Sequence, residues 1–112
     1  MLQTTALRSS VIEEPTLEEL LANISRSTGW IMAGGSAQFR QGALLEMQAD
    51  LHQVVEQART ERVLQSVNIL DEKATKVAAN KLSDTAAIMG LRRVLEEFEQ
   101  AVKAYLAGAK KR

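Results

Sequence analysis

Apolar side chains recur every three or four residues through most of this chain, and this spacing constrains the fold more than any other feature of the sequence. The clearest set lies in the last third and is called here the C-terminal seam: Ile88, Leu91, Leu95, Phe98, Val102 and Tyr105. Such spacing places all of them on one face of an α-helix, at heptad a and d positions. No alternating strand pattern occurs, and residues that favour helices are frequent. We therefore predict an all-α protein.

A capping box marks the start of the first helix. The Thr16 hydroxyl is placed to accept from the backbone N–H of Glu19, and the Glu19 carboxylate from the Thr16 N–H. The apolar residues that follow share one face: Leu17, Leu20, Leu21 and Ile24. We predict a short N-terminal helix over residues 17–28, with Gly29 as its left-handed C-cap.

The residues before Pro15 differ from the rest of the chain. They are rich in hydroxyl side chains and carry Arg8 but no acidic residue before Glu13, a composition faintly similar to an organelle transit peptide. An extended or disordered arm is the interpretation that we favour. We predict a flexible N-terminal arm over residues 1–14 and a single helical domain over residues 15–112.

The central segment carries two apolar stripes. The first contains Leu44, Met47, Leu51, Val54, Val55 and Ala58, and the second contains Val63, Val67, Leu70, Ala74 and Val77. At about 100° per residue, the two stripes lie on different faces of a helix. Nothing in residues 59–62 breaks a helix, so we predict one long central helix that begins after Ser36 as N-cap. A kink or a coiled-coil phase slip near Arg59–Arg62 would produce the same pattern.

Two arrangements are open for the second half of the chain. The heptad register permits one continuous helix over about residues 61–108, or an antiparallel helical hairpin that turns near Asn80–Ser83. Turn chemistry favours the hairpin, because Asn80 tolerates a left-handed conformation and Ser83 is a good N-cap. We therefore predict that the C-terminal helix packs back on the central helix.

The stretch Gly29–Ser36, with the sequence GWIMAGGS, contains the only tryptophan. Its spacing is like that of a phosphate-binding P-loop, but Gly35 replaces the essential lysine and a helix precedes it. A membrane-inserting finger is disfavoured because flanking Lys and Arg are lacking. We predict a glycine corner in which Trp30, Ile31 and Met32 fold back over the core. The same three residues are the alternative candidate for a partner-binding patch.

Composition argues against several function classes. Fourteen basic and fourteen acidic residues give a net charge of zero, so we do not expect nucleic-acid binding. Cysteine is absent, and the single histidine, His52, is paired at helical spacing only with Glu56. We therefore expect no enzymatic activity, no cofactor, no metal and no small-molecule substrate. We also expect no membrane insertion and a cytoplasmic location.

The last third also resembles a known group of proteins. Ser83-Asp84-Thr85 leading into GLRRVLEEFEQAVKAYL is similar to the last helix of small all-helical accessory proteins encoded among tailed-phage structural genes. Those proteins act by assembly rather than chemistry. The resemblance therefore implies an assembly role and, for a phage-encoded chain, incorporation into a virion.

The width of the apolar face around the C-terminal seam suggests a partner. With Val94, Ala101 and Leu106 added, this face is wider than a single neighbouring helix should cover. We therefore expect a homo-oligomer, most simply a dimer, that works as an assembly or adaptor protein together with an unidentified protein. The alternative is a small regulator or inhibitor that captures another macromolecule, nucleic acid included.

Overall fold

The computed structural model describes residues 15–33, 35–79 and 85–110. These residues form four helices and no strand: α1 (Leu17–Ala33), α2 (Ala37–Gln57), α3 (Glu61–Ala79) and α4 (Thr85–Lys110). The all-α class is therefore confirmed. The predicted arm over residues 1–14, Gly34 of the predicted corner and the predicted turn at Asn80–Ser83 lie outside the described residues.

The capping box at the start of α1 is confirmed. The backbone N–H of Thr16 donates to Oε1 of Glu19 at 2.8 Å, and the N–H of Glu19 donates to Oγ1 of Thr16 at 3.1 Å. Two of the N–H groups that a helix start leaves unpaired are thereby satisfied. The helix begins where the sequence pattern places it.

The predicted end of α1 is wrong. Gly29 lies inside the helix, which continues through Trp30, Ile31 and Met32 to Ala33. Ile31 is completely buried, two helical turns beyond the equally buried Ile24. Burying such a side chain contributes about 1.5–3 kcal/mol, whereas a glycine inside a helix costs about 1 kcal/mol. The longer helix is therefore favoured despite Gly29.

The predicted long central helix is also wrong, because the segment forms two helices, α2 and α3. Ala58 has φ −138° and ψ 76°, outside the helical region, and its N–H caps α2 by donating to the Val54 carbonyl at 2.8 Å. The Thr60 hydroxyl then accepts from the backbone N–H of Val63 at 3.2 Å. The break changes the direction of the chain, so that the second apolar stripe also faces the core. Ala58 itself is completely buried at this break.

The start of α2 follows the prediction. Ser36 is extended, and its hydroxyl accepts from the backbone N–H of Phe39 at 3.0 Å, as an N-cap does. Gly35 before it has φ +94°, a conformation that glycine adopts readily and other residues rarely do. Gly35 therefore supplies the backbone conformation that precedes α2, and Ser36 supplies its cap.

The four helices bury one continuous aliphatic core. Helix α1 packs mainly on α2, α3 on α4 and α2 on α3, while α1 also contacts α3 and α4. The molecule measures 51 × 39 × 15 Å between Cα atoms, so it is flat. None of the described helices is both long enough and apolar enough to cross a bilayer.

Polar side chains form hydrogen bonds between the helices, including at both ends of α2. Arg40 at the start of α2 is buried and donates to the carbonyls of Val77 and Ala78, at 3.3 and 3.2 Å, at the end of α3. A cation there also complements the negative end of the helix dipole. At the other end, the Tyr105 hydroxyl donates to the Gln57 carbonyl at 3.0 Å, and the Gln57 side chain donates to the Pro15 carbonyl at 2.9 Å.

Candidate interaction surfaces

The C-terminal seam is part of the hydrophobic core of the folded chain. Leu91, Leu95, Phe98 and Val102 are buried in the common core, and Ile88 and Tyr105 are half-buried against it. The flanking Val94 and Ala101 are buried as well. The expectation that this face needs a partner is corrected, because α4 contacts both α3 and α1. The contact with α1 joins elements far apart in the sequence, which helix periodicity alone does not reveal.

Two aromatic rings remain exposed where α1 ends and α2 begins. Trp30 is 38% exposed and Phe39 is 50% exposed, with their ring centroids 6.0 Å apart and their planes inclined by 59°. The guanidinium of Arg26 lies 5.8 Å from the centre of the Trp30 ring, within cation–π range. We call Arg26, Trp30 and Phe39 the aromatic patch.

The structure separates the three residues predicted as a partner patch. Ile31 is buried and Met32 is half-buried against the core, so only Trp30 is exposed, and all three lie in the last turns of α1 rather than in a corner. Phe39 takes the place beside Trp30 and was missed. A large apolar residue outside the main apolar stripe of α2 is the signal that could have found it.

A small acidic pocket lies next to the aromatic patch. It has a volume of about 290 Å³, and its lining includes Asn23, Arg26, Trp30, Glu46 and Asp50. Burial raises the pKa of Asp50, repulsion from Glu46 raises it further, and Arg26 opposes both effects. The Arg26 guanidinium also donates to the Asn23 side-chain oxygen at 2.6 Å. Arg26 therefore interacts with the Trp30 ring, with the Asn23 side chain and with the acidic pocket that contains Asp50.

A second surface is the open groove between α3 and α4, with a volume of about 580 Å³. Its apolar residues are Val94 and Ala101 on α4 and Ile69 on α3, which is 44% exposed. A further cavity of about 450 Å³ shares Arg93 and Val94 with the groove and adds Met89, which is 66% exposed. We call the two cavities together the α3/α4 groove.

Charged residues of both signs border the α3/α4 groove: Arg62, Lys73, Arg93, Glu96 and Glu97. Within residues 15–33, 35–79 and 85–110, none of these five belongs to an ion pair. On the exposed face of α2, Nε2 of His52 lies 3.5 Å from a carboxylate oxygen of Glu56, as their spacing predicts. Unpaired charges around apolar side chains are suited to contacts with another macromolecule.

Comparison with known proteins gives no relative to guide the interpretation. No protein-family model matches the chain, and neither a curated protein nor a solved structure is similar to it. The described residues also contain no group of three or more potential metal ligands. The features of the molecule that bear on its function are therefore the aromatic patch and the α3/α4 groove.

Proposed function

We propose that this protein is a non-enzymatic helical assembly or adaptor protein, which self-associates and binds another protein. One observation carries the proposal: two separate surfaces expose large apolar side chains, the aromatic patch on α1 and α2 and the α3/α4 groove on the other pair of helices. An adaptor needs two such contacts, one for each partner. Tryptophan and arginine, both present in the aromatic patch, are also enriched among residues that dominate binding energy.

The flat shape supports the same proposal. A thickness of 15 Å between Cα atoms is less than two interaxial spacings of about 8–10 Å, so no helix is surrounded by others. Each helix therefore keeps a face toward solvent. Covering the apolar part of those faces contributes about 25 cal/mol per Å² of buried surface.

We further propose the predicted hairpin, together with a glycine turn between α1 and α2, as the architecture that presents these surfaces. Tyr105 near the end of α4 bonds to Gln57, just before α3 begins. Lys73 in the second half of α3 lines a cavity with Ala86 near the start of α4. Both contacts are those expected of antiparallel helices. The positive φ of Gly35 supports a glycine turn between α1 and α2.

The larger complex is proposed from the resemblance of the last third alone. On that basis the protein serves a phage-like or mobile-element particle, and is found in the cytoplasm before it is incorporated. Co-sedimentation with such particles from the native host tests this part, and a chain that stays wholly in the free fraction contradicts it.

Site-specific photo-crosslinking in the native host tests the adaptor role. A photoreactive residue in place of Phe39 is expected to give one defined adduct with another protein. Adding Trp30→Ala should abolish that adduct without unfolding the chain, because Trp30 is exposed. The matched control is the same residue in place of Glu72, exposed on α3 and outside both surfaces. Equal, diffuse labelling from both positions would contradict the proposal.

A further inference from the structure

We propose that the α3/α4 groove is the surface through which two copies of this chain associate, with α4 of each copy antiparallel to α4 of the other. The two-fold axis passes the outer side of α4 at the level of Leu95. This inference rests on the self-association proposed above and names the surface and geometry for it. The α3/α4 groove thus takes the place of the C-terminal seam as the proposed dimer surface, because the seam is already buried in the core.

The residues that would meet lie on the outer side of α4. At about 100° per residue, they fall on the face opposite the C-terminal seam: Ala86, Met89, Gly90, Arg93, Glu97, Gln100 and Ala104. All are exposed except the half-buried Gly90. Three of them are alanine or glycine, which leaves room for a second helix to approach closely.

The residues of this face are arranged so that the face is complementary to an identical face that runs in the opposite direction. In an antiparallel pair with its axis at Leu95, positions equally far from Leu95 in opposite directions face each other. Arg93 then faces Glu97 of the second copy, and Glu97 faces its Arg93. By the same rule Ala86 faces Ala104, so small residues meet at both ends. One chain therefore supplies both halves of an isologous interface.

The charges decide between this arrangement and its alternatives. Arg93 and Glu97 have no ion-pair partner among the described residues, and the two-fold arrangement gives a partner to both. A parallel, in-register pair of α4 helices would instead place like charges together, which is unfavourable. The antiparallel arrangement also lays the second α4 along the groove, where it covers the exposed Ile69 and Met89.

A charge exchange tests the geometry in solution. Arg93→Glu and Glu97→Arg, each alone, place two pairs of like charges across the axis and should weaken the dimer about a hundredfold. The two variants mixed should form a heterodimer, because every facing pair is then opposite in charge. The double variant Arg93→Glu/Glu97→Arg should recover the homodimer for the same reason. Arg92→Glu, exposed but outside this face, is the matched control and should leave the dimer intact.

Sedimentation equilibrium, with circular dichroism to verify folding, separates the outcomes. Monomeric single variants that combine into a heterodimer support the inference. A wild-type dimer whose single variants remain equally dimeric overturns the inference and leaves self-association to another surface. Single variants that are monomeric but fail to combine overturn the two-fold geometry. A monomeric wild-type chain overturns both the inference and the proposed self-association.

Discussion

The two halves of the molecule bury different kinds of side chains. Among the described residues, the buried polar and charged side chains are Ser27, Thr28 and Arg40, all on α1 or α2, whereas α3 and α4 bury only apolar ones. Thr28 satisfies its hydroxyl by donating to the Ile24 carbonyl at 2.7 Å, and Arg40 donates to carbonyls of α3. The α3–α4 half is therefore held mainly by packing, and the α1–α2 half depends also on specific hydrogen bonds.

The largest effect is expected from the packed half. Phe98→Ala removes the largest fully buried side chain and should lower the free energy of unfolding by about 3–5 kcal/mol. Because the core is one cluster, the whole chain should unfold in one transition at lower denaturant. Chemical denaturation followed by circular dichroism measures this. Arg92→Ala, exposed on the same helix and outside the α3/α4 groove, is the control, and equal stabilities of the two variants would contradict the assigned packing.

The next effect comes from the polar half. Arg40→Met keeps much of the side-chain volume but removes the donors to the Val77 and Ala78 carbonyls. We expect a loss of about 1.5–3 kcal/mol, the usual range for hydrogen bonds from a charged group. Arg40→Lys should lose less, since it keeps the cation at the end of α3. Urea denaturation of the three proteins checks the order, and a methionine variant as stable as wild type would remove the contrast between the halves.

This contrast also explains what the sequence could and could not predict. The faces of α3 and α4 follow from apolar periodicity alone, so their buried residues were identifiable. The C-terminal ends of α1 and α2 do not follow from apolar periodicity. Gly29 continues a helix because Ile31 is buried beyond it, and the Ala58 break depends on tertiary packing. Periodicity likewise does not show which elements cover the C-terminal seam, because that depends on where α1 lies relative to α4.

A smaller effect is expected at another contact between the two halves. Tyr105→Phe removes the hydrogen bond from α4 to the Gln57 carbonyl and should cost about 0.5–1.5 kcal/mol. The amide protons near Ala58 should exchange faster than in the wild-type chain, while those in the middle of α4 change little. Hydrogen exchange measured residue by residue tests this. Uniformly faster exchange along all four helices would show that the bond is not a local link.

The smallest effect concerns the acidic pocket. The pKa of Asp50 is raised by burial and by Glu46, so its charged form is less favourable in the folded chain than in the unfolded one. Asp50→Asn should therefore raise the thermal midpoint slightly at neutral pH. The gain should shrink as pH falls through the raised pKa, where Asp50 itself becomes protonated. Thermal denaturation across acidic and neutral pH checks the sign, which would be reversed if Asp50 were stabilising as a carboxylate.

We expect two copies of this chain to associate while the C-terminal seam stays buried within each. Sedimentation velocity of the full chain, over a concentration series reaching tens of micromolar, measures this association. The expected result is a concentration-dependent shift from the 12.3 kDa monomer to a species of twice that mass. A single 12.3 kDa species at every concentration would contradict it.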